Sequence, residues 1–384
     1  MGVRVAIAGV GMHPFGRHEG VSNTEMGVTA VRAALTEAGH PSFQAAFCGT
    51  AYGGVASGHK VLGALALTGV PIVDVEAGCA SGGAALQLAA GAIRAGQYDC
   101  VLVFGVEKMP KGIIRSSFFE PWREEAGLAA TPAYFALRAQ RLMREAGLTK
   151  EHLASVVVKN RRAGVHNPNA MFRAEVTGEQ VLASRLVCEP LHLWMLCSPN
   201  EGAAAIVLRR AEPGGDDRVT LASARLRSHL PGSVLGEATP LSGIDDSDIT
   251  PPSTLAARDA YEEAGVGPED VDVVECQDTD AARELLAYQE LLLCGPGEQA
   301  KFLAEPPVPV NPSGGLLSKG EPLGASALGQ VIELTQQLRG EAGDRQVAGR
   351  RTGARRPGTA GAPRVGLAHT VGRGANASCV ILTT

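Results

Sequence analysis

The chain has 384 residues, 45% hydrophobic and 20% charged, with 35 Lys+Arg against 40 Asp+Glu for a formal net charge of −5. That balance excludes a general nucleic-acid binder, which needs an excess of cations facing the phosphates, and the apolar content excludes a disordered chain. Glycine supplies 48 residues and aromatics only 4%, so tight turns and close backbone approaches are expected, with Ala, Val and Leu filling the core.

In chain order, residues 3–8 read as a strand and Asn23 opens a helix that Gly39 stops. A buried strand at 70–75, an Ala-rich helix at about 80–95 and a strand at 100–104 follow, the last ended by Gly105. An irregular stretch then runs to about residue 132. Its aromatic-rich part, 113–123, suits local packing equally with a subunit interface or an acyl-pocket wall. Beyond it, strands at 219–224 and 271–275, helices at 252–264 and 281–293, a long helix at 324–338 and strands at 365–369 and 377–382 repeat the scheme. Alternating strands and helices predict a layered α/β protein of two similar halves. The Arg-bearing stretch 346–363 reads as a solvated loop, or else as a contact for a phosphate-bearing ligand. No apolar run is long enough to cross a bilayer, and the N-terminus lacks the parts of a signal peptide. The eight cysteines are scattered singly, which points to a reduced cytoplasm, and no His/Cys/Asp cluster has metal-ligand spacing.

The strongest local signal is Gly78-Cys79-Ala80-Ser81-Gly82, where a strand ends and a helix begins. The helix dipole there favours thiolate over thiol, the small neighbours leave room for a thioester, and the Cys79 N–H suits an oxyanion. The competing reading is a buried structural cysteine. Gly9-Val10-Gly11 suggests a dinucleotide loop, but Pro14 and Phe15 block the required turn, which speaks against a nicotinamide enzyme. The run Asn311-Pro312-Ser313-Gly314-Gly315 leads to Gly320-Glu321-Pro322-Leu323-Gly324, which delivers a carboxylate just before a helix. The turn at His369-Thr370-Val371-Gly372 can supply backbone donors.

These motifs, in this order and over nearly the whole chain, resemble the thiolase superfamily, in particular its sterol-carrier-protein-x branch with the bacterial lipid-transfer-protein thiolases and thiolase-like aldolases. The resemblance implies five layers, α-β-α-β-α, with an N-terminal half at 1–215 carrying Cys79 and a loop insertion at about 108–200, and a C-terminal half at 216–384. It also implies a dimer, a coenzyme A thioester as substrate with no bound cofactor, and a small partner combining a zinc ribbon with an OB-fold. No lipid-carrier domain follows Thr384, so a stand-alone catalytic subunit is expected.

The chain departs from the family pattern where the bases should stand. Glu321 replaces the His of Gly-His-Pro, Gln277 and Thr279 replace the His and Cys of His-Asp-Cys-Phe, and Thr370 occupies the place of the Cys in Cys-x-Gly. Claisen chemistry needs a second base for the α-proton, whereas retro-aldol cleavage needs a base for the β-hydroxyl and donors for the enolate. The expected catalytic set is therefore Cys79, Glu321, Gln277, Asp278 and His369, with Asp280, Ser313, Thr370 and Gly372 binding substrate or the oxyanion. Glu321, Asp278 or Asp280 would be the base if burial raised its pKa. The expected reaction is retro-aldol cleavage of a β-hydroxyacyl-CoA with a sterol or lipid side chain. The alternatives are acyl transfer through Cys79 and a non-catalytic subunit of an acyl-CoA enzyme complex.

Overall fold

The computed structural model describes residues 3–112, 121–126, 130–212, 219–231, 249–349, 361–372 and 376–384. Its strands are β1 (Val5–Gly16), β2 (Ala45–Gly49), β3 (Ile72–Val75), β4 (Cys100–Lys108), β5 (Leu186–Cys188), β6 (Leu191–His192), β7 (Glu201–Arg210), β8 (Thr220–Arg227), β9 (Val273–Cys276), β10 (Val365–Val371) and β11 (Ala377–Thr383). The helices are α1 (Asn23–Glu37), α2 (Ser57–Ala64), α3 (Ser81–Arg94), α4 (Pro121–Glu125), α5 (Thr131–Ala146), α6 (Lys150–Gly164), α7 (Gly178–Ala183), α8 (Pro252–Ala264), α9 (Ala281–Glu290), α10 (Gln299–Ala304), α11 (Gly315–Lys319) and α12 (Leu323–Arg339).

The first half places its strands in the order β3, β2, β4, β7, β1, and the second continues β8, β11, β10, β9. Residue 310 bridges β9 in parallel through Val274, so the second half repeats the first: third, second, fourth, fifth and first strand. The parallel and antiparallel pairings repeat as well. The two sheets meet along one edge at Ala6 and Thr220.

Strand alternation builds the layers. One face of the first sheet packs Leu102, Phe104 and Val207 on α1 and α2, while its other face turns Val101, Val103 and Ile206 toward α3 and α12. The second sheet meets α3 and α12 with Ala368, Val380 and Leu382, and meets α8 and α9 with Leu367, Cys379 and Ile381. The result is the expected five-layer sandwich. The middle helix α12 is buried on nearly every side, and at Leu323 to Leu338 it is apolar or internally paired on each face.

Two glycine readings change. Gly9 and Gly11 lie inside the long strand β1, where a Cβ would come within 2.3 Å of the Ala34 and Ala30 carbonyls of α1. Gly105 lies inside β4 rather than at its end, because the start of α12 presses on it: a Cβ there would sit 2.0 Å from the Gly324 carbonyl.

The segment expected as a loop insertion carries helices α4 to α7 and the ribbon β5–β6. Phe135 and Ala139 of α5 and Leu153 and Val157 of α6 pack with Leu285 and Tyr288 of α9 and Phe302 of α10. Chain from the first half therefore covers the second. The aromatic stretch 113–120, the Arg-bearing residues 350–360 and the expected boundary at 215/216 lie outside the described residues.

Candidate active site

β3 ends at Val75, one tight turn covers Gly78–Ala80, and α3 begins at Ser81. The Ser81 hydroxyl accepts from the Ala77 N–H (2.9 Å) and donates to the Gly78 carbonyl (2.6 Å), which locks the turn. Gly78 has φ +59°, a conformation that favours glycine. Cys79 follows at 6% exposure and packs with Met109, Leu323 and Ala51. Met109 comes just after β4 and Leu323 opens α12, so the Cys79 turn of the first half meets the helix start of the second.

Two residues before Leu323, Glu321 is 5% exposed. Its carboxylate accepts from Gln277 Nε2 (3.0 Å) on one oxygen and from Cys197 Sγ (3.4 Å) on the other. Gln277 is oriented in turn, since its Oε1 accepts the Val371 N–H (3.0 Å) and its own N–H donates to the His369 carbonyl (2.9 Å). With the amide oxygen taken, the NH2 must face Glu321. The Glu321 backbone is pinned too: its N–H donates to the Ser198 carbonyl (2.9 Å), and its carbonyl accepts from Asn200 (3.4 Å).

Gly372 closes the wall, packed so tightly that a Cβ would lie 1.9 Å from the Ala77 carbonyl. Its N–H already donates to the Asn376 carbonyl (2.7 Å), which corrects the expectation that it serves an oxyanion.

Five other expected site residues have different surroundings. Asp278 accepts from the N–H groups of Leu316 (2.6 Å) and Leu317 (3.1 Å) and from Asn160 Nδ2 (2.8 Å), so it anchors the first turn of α11. Burial pushes its carboxyl well above the ordinary range, with the charge of Glu284 adding to the effect. Asp280 caps α9 through the Arg283 N–H (3.0 Å) and pairs with the buried Arg138 of α5. Ser313 bonds Glu275 through its N–H (2.9 Å) and its hydroxyl (2.6 Å). Thr370 points to Gln330 of α12 (2.7 Å). His369, one residue earlier on β10, faces the opposite side, where its Nε2 lies 2.9 Å from the Ser253 hydroxyl on α8. Burial holds its pKa well below the ordinary value, so the ring is neutral. The reason is common to all five: strand alternation and helix starts claim these polar groups for the frame.

Two residues that sequence reasoning passed over matter here. Cys197 is one of the eight scattered cysteines, and its sole sequence signal is the Cys-Ser-Pro-Asn segment before the buried strand β7. Glu107, fully buried near the end of β4, accepts the N–H groups of Ala51 (2.8 Å), Tyr52 (3.0 Å) and Gly324 (3.2 Å). It ties the loop after β2 to the start of α12, and burial raises its pKa to about 6.

Residues 5–188 match the family model of the thiolase N-terminal domain, and residues 240–383 match the thiolase C-terminal domain-like model. The chain is 35% identical over 392 residues to the benzoylsuccinyl-CoA thiolase subunit BbsB of Thauera aromatica, covering 97% of this chain and 96% of that one. It is 33% identical over 405 residues to sterol carrier protein 2 of Bos taurus, covering 97% of this chain and 70% of the relative. Among solved structures, the Ltp2-ChsH2(DUF35) aldolase superposes with a TM-score of 0.84 at 24% identity, over 99% of this chain and 98% of that one. With the five-layer fold and the Cys79 turn already in place, these matches settle the ancestry: the chain belongs to the thiolase family of acyl-CoA enzymes.

Proposed function

We propose that the protein cleaves a β-hydroxyacyl-CoA by a retro-aldol reaction, with Glu321 as the base that takes the β-hydroxyl proton. The observation that carries this reading is the Glu321 carboxylate, held by Gln277 and Cys197 close to the Cys79 turn, with no histidine hydrogen-bonded to it among the described residues. A carboxylate suits removal of a hydroxyl proton. As electrons leave the Cα–Cβ bond, the thioester oxygen gains charge, and the first turn of α3 presents its positive dipole end beside Cys79. Cys79 then shapes the cavity and need not be acylated. The substrate is a coenzyme A thioester, and its acyl part is the sterol or lipid side chain that the sequence resemblance suggested.

The test offers a panel of 3-hydroxyacyl-CoA esters and measures release of the acyl-CoA and carbonyl products. Glu321→Gln should lower kcat by about 10²–10⁴-fold, while Cys79→Ala should leave cleavage in place. A Cys79→Ala enzyme dead toward every ester would replace this reading by a second one, acyl transfer through Cys79. That second reading is favoured by the position of Cys79 at the head of α3 and by the thiolase name of the Thauera relative.

The names of two similar proteins, a thiolase subunit and a two-component aldolase, support a partner protein for this chain as well. We assign that partner the zinc-ribbon and OB-fold class, and absence of turnover both alone and with such a partner would indicate a non-catalytic subunit.

A further inference from the structure

We propose that Cys197 is the proton donor to the α-carbon in this reaction, working as a pair with Glu321. The inference rests on the retro-aldol reading. The retro-aldol step leaves an enolate that must be protonated at Cα, and the two family positions that carry a second cysteine hold Thr279 and Thr370 here.

Cys197 arrives by a different route. The segment after the inserted helices runs between the two pieces of the second half that form the site. Leu196 bridges Asp280, the Cys197 N–H donates to the Thr279 carbonyl (2.9 Å), and Pro199 bridges Glu321. Its neighbours are thus fixed on both sides, and the thiol, half-buried, is aimed at Glu321 Oε2 at 3.4 Å. Glu321 precedes by two residues the Leu323 that packs on Cys79, so the pair lies close in the chain to the residue that meets the Cys79 turn. Burial and then the charge of the neighbouring Glu321 raise the Cys197 thiol well above its ordinary value. At neutral pH it therefore keeps its proton, as an acid catalyst must.

The cycle balances without a co-reactant. Glu321 takes the proton of the β-hydroxyl, the Cα–Cβ bond breaks, the ketone or aldehyde leaves, and the electron pair rests in the thioester enolate. Cys197 gives its S–H proton to Cα and becomes a thiolate. The protonated Glu321 returns its proton to that thiolate across the existing hydrogen bond, so both groups regain their starting states. In the reverse sense the Cys197 proton passes to Glu321 across that bond, and the thiolate so formed removes an α-proton from an acyl-CoA.

That reverse sense supplies the test. Propionyl-CoA is incubated with the enzyme, and with its partner if one is required, in D2O, and α-deuterium is followed by mass spectrometry. Wild type should exchange, and Cys294→Ser, remote from the site, should exchange equally. Cys197→Ala and the same-sized Cys197→Ser should lose exchange by about 100-fold or more, with kcat for cleavage falling and KM little changed. Either variant exchanging and cleaving like wild type overturns the proposal, as does a wild-type enzyme that cleaves without exchange. If wild type neither cleaves nor exchanges, the retro-aldol reading itself fails, and the Cys197 role fails with it.

Discussion

Glu321 and Gln277 form one buried pair, locked because the Gln277 amide has both of its ends engaged. Gln277 spans the Val371 N–H and the Glu321 carboxylate, both buried. Gln277→Leu would strip the Val371 N–H and one oxygen of Glu321 of this partner, leaving Cys197 on the other oxygen, at about 1–3 kcal/mol for each lost bond. We expect a lower urea midpoint together with a kcat loss, read by denaturation and steady-state kinetics on the same preparation. Glu107 gives a separate pH signature. Its pKa rises in the folded state from the ordinary 4.5 to about 6, so the native protein binds that proton more tightly than the unfolded chain. This contribution is fully present below about pH 4.5 and is lost as pH rises through 6, amounting to about 2 kcal/mol. Other groups titrate in the same window: His369, kept neutral by burial, opposes the effect on acidification, and Asp278 adds to it. The difference between wild type and Glu107→Gln in unfolding midpoint from pH 7 to pH 5 isolates the Glu107 part, and equal slopes would refute it.

The elements meet at close range because small residues let backbones touch. α12 enters the middle layer with its Gly324 carbonyl against Gly105 of β4, and Glu107 two residues further on holds the Gly324 N–H. Gly105→Ala puts a methyl into that contact and should cost about 1–3 kcal/mol through forced displacement of the α12 start. Gly91 is the contrast, an exposed position within α3 where an added Cβ meets nothing within 4 Å. Gly91→Ala should stabilise by about 0.5–1 kcal/mol, because alanine loses less backbone freedom in a helix. Urea denaturation of both variants would separate close packing from mere glycine content. The same displacement would move Glu321, so Gly105→Ala should also lower turnover while Gly91→Ala leaves it unchanged.

For the molecule as a whole, the site exists only where the halves meet. The first half supplies the Cys79 turn and, through its inserted helices, Cys197; the second supplies Gln277 and Glu321. The first sheet ends in β3, a four-residue edge strand whose Val73 is 44% exposed. An edge of that kind is a template for pairing with another chain. If a second copy of the chain pairs with this edge, light scattering should read twice the 39.7 kDa chain mass, and Val73→Lys should shift that species toward monomer. A monomeric wild type would remove β3 as the contact. Among the described residues no helix is long and apolar enough to cross a membrane.

The sequence by itself determined the layered α/β class, because the periods of strand and helix are local, and it determined the α8 helix, whose start at Pro252 and stop at Gly265 are local signals. It also marked the Cys79 turn and the Glu321 loop, since each is a short motif whose glycines and helix start lie within a few residues of one another. Which polar groups reach that centre was decided by tertiary structure alone. His369 and Thr370 are neighbours in sequence but face opposite layers, and nothing local says which face of β10 meets α12. Asp278 and Asp280 look like catalytic acids until the starts of α11 and α9 claim them. Cys197 meets Glu321 across 124 residues of chain, a contact that forms only after the inserted helices have packed on the second half. Local chemistry names the candidates, and burial and the direction of each side chain select among them.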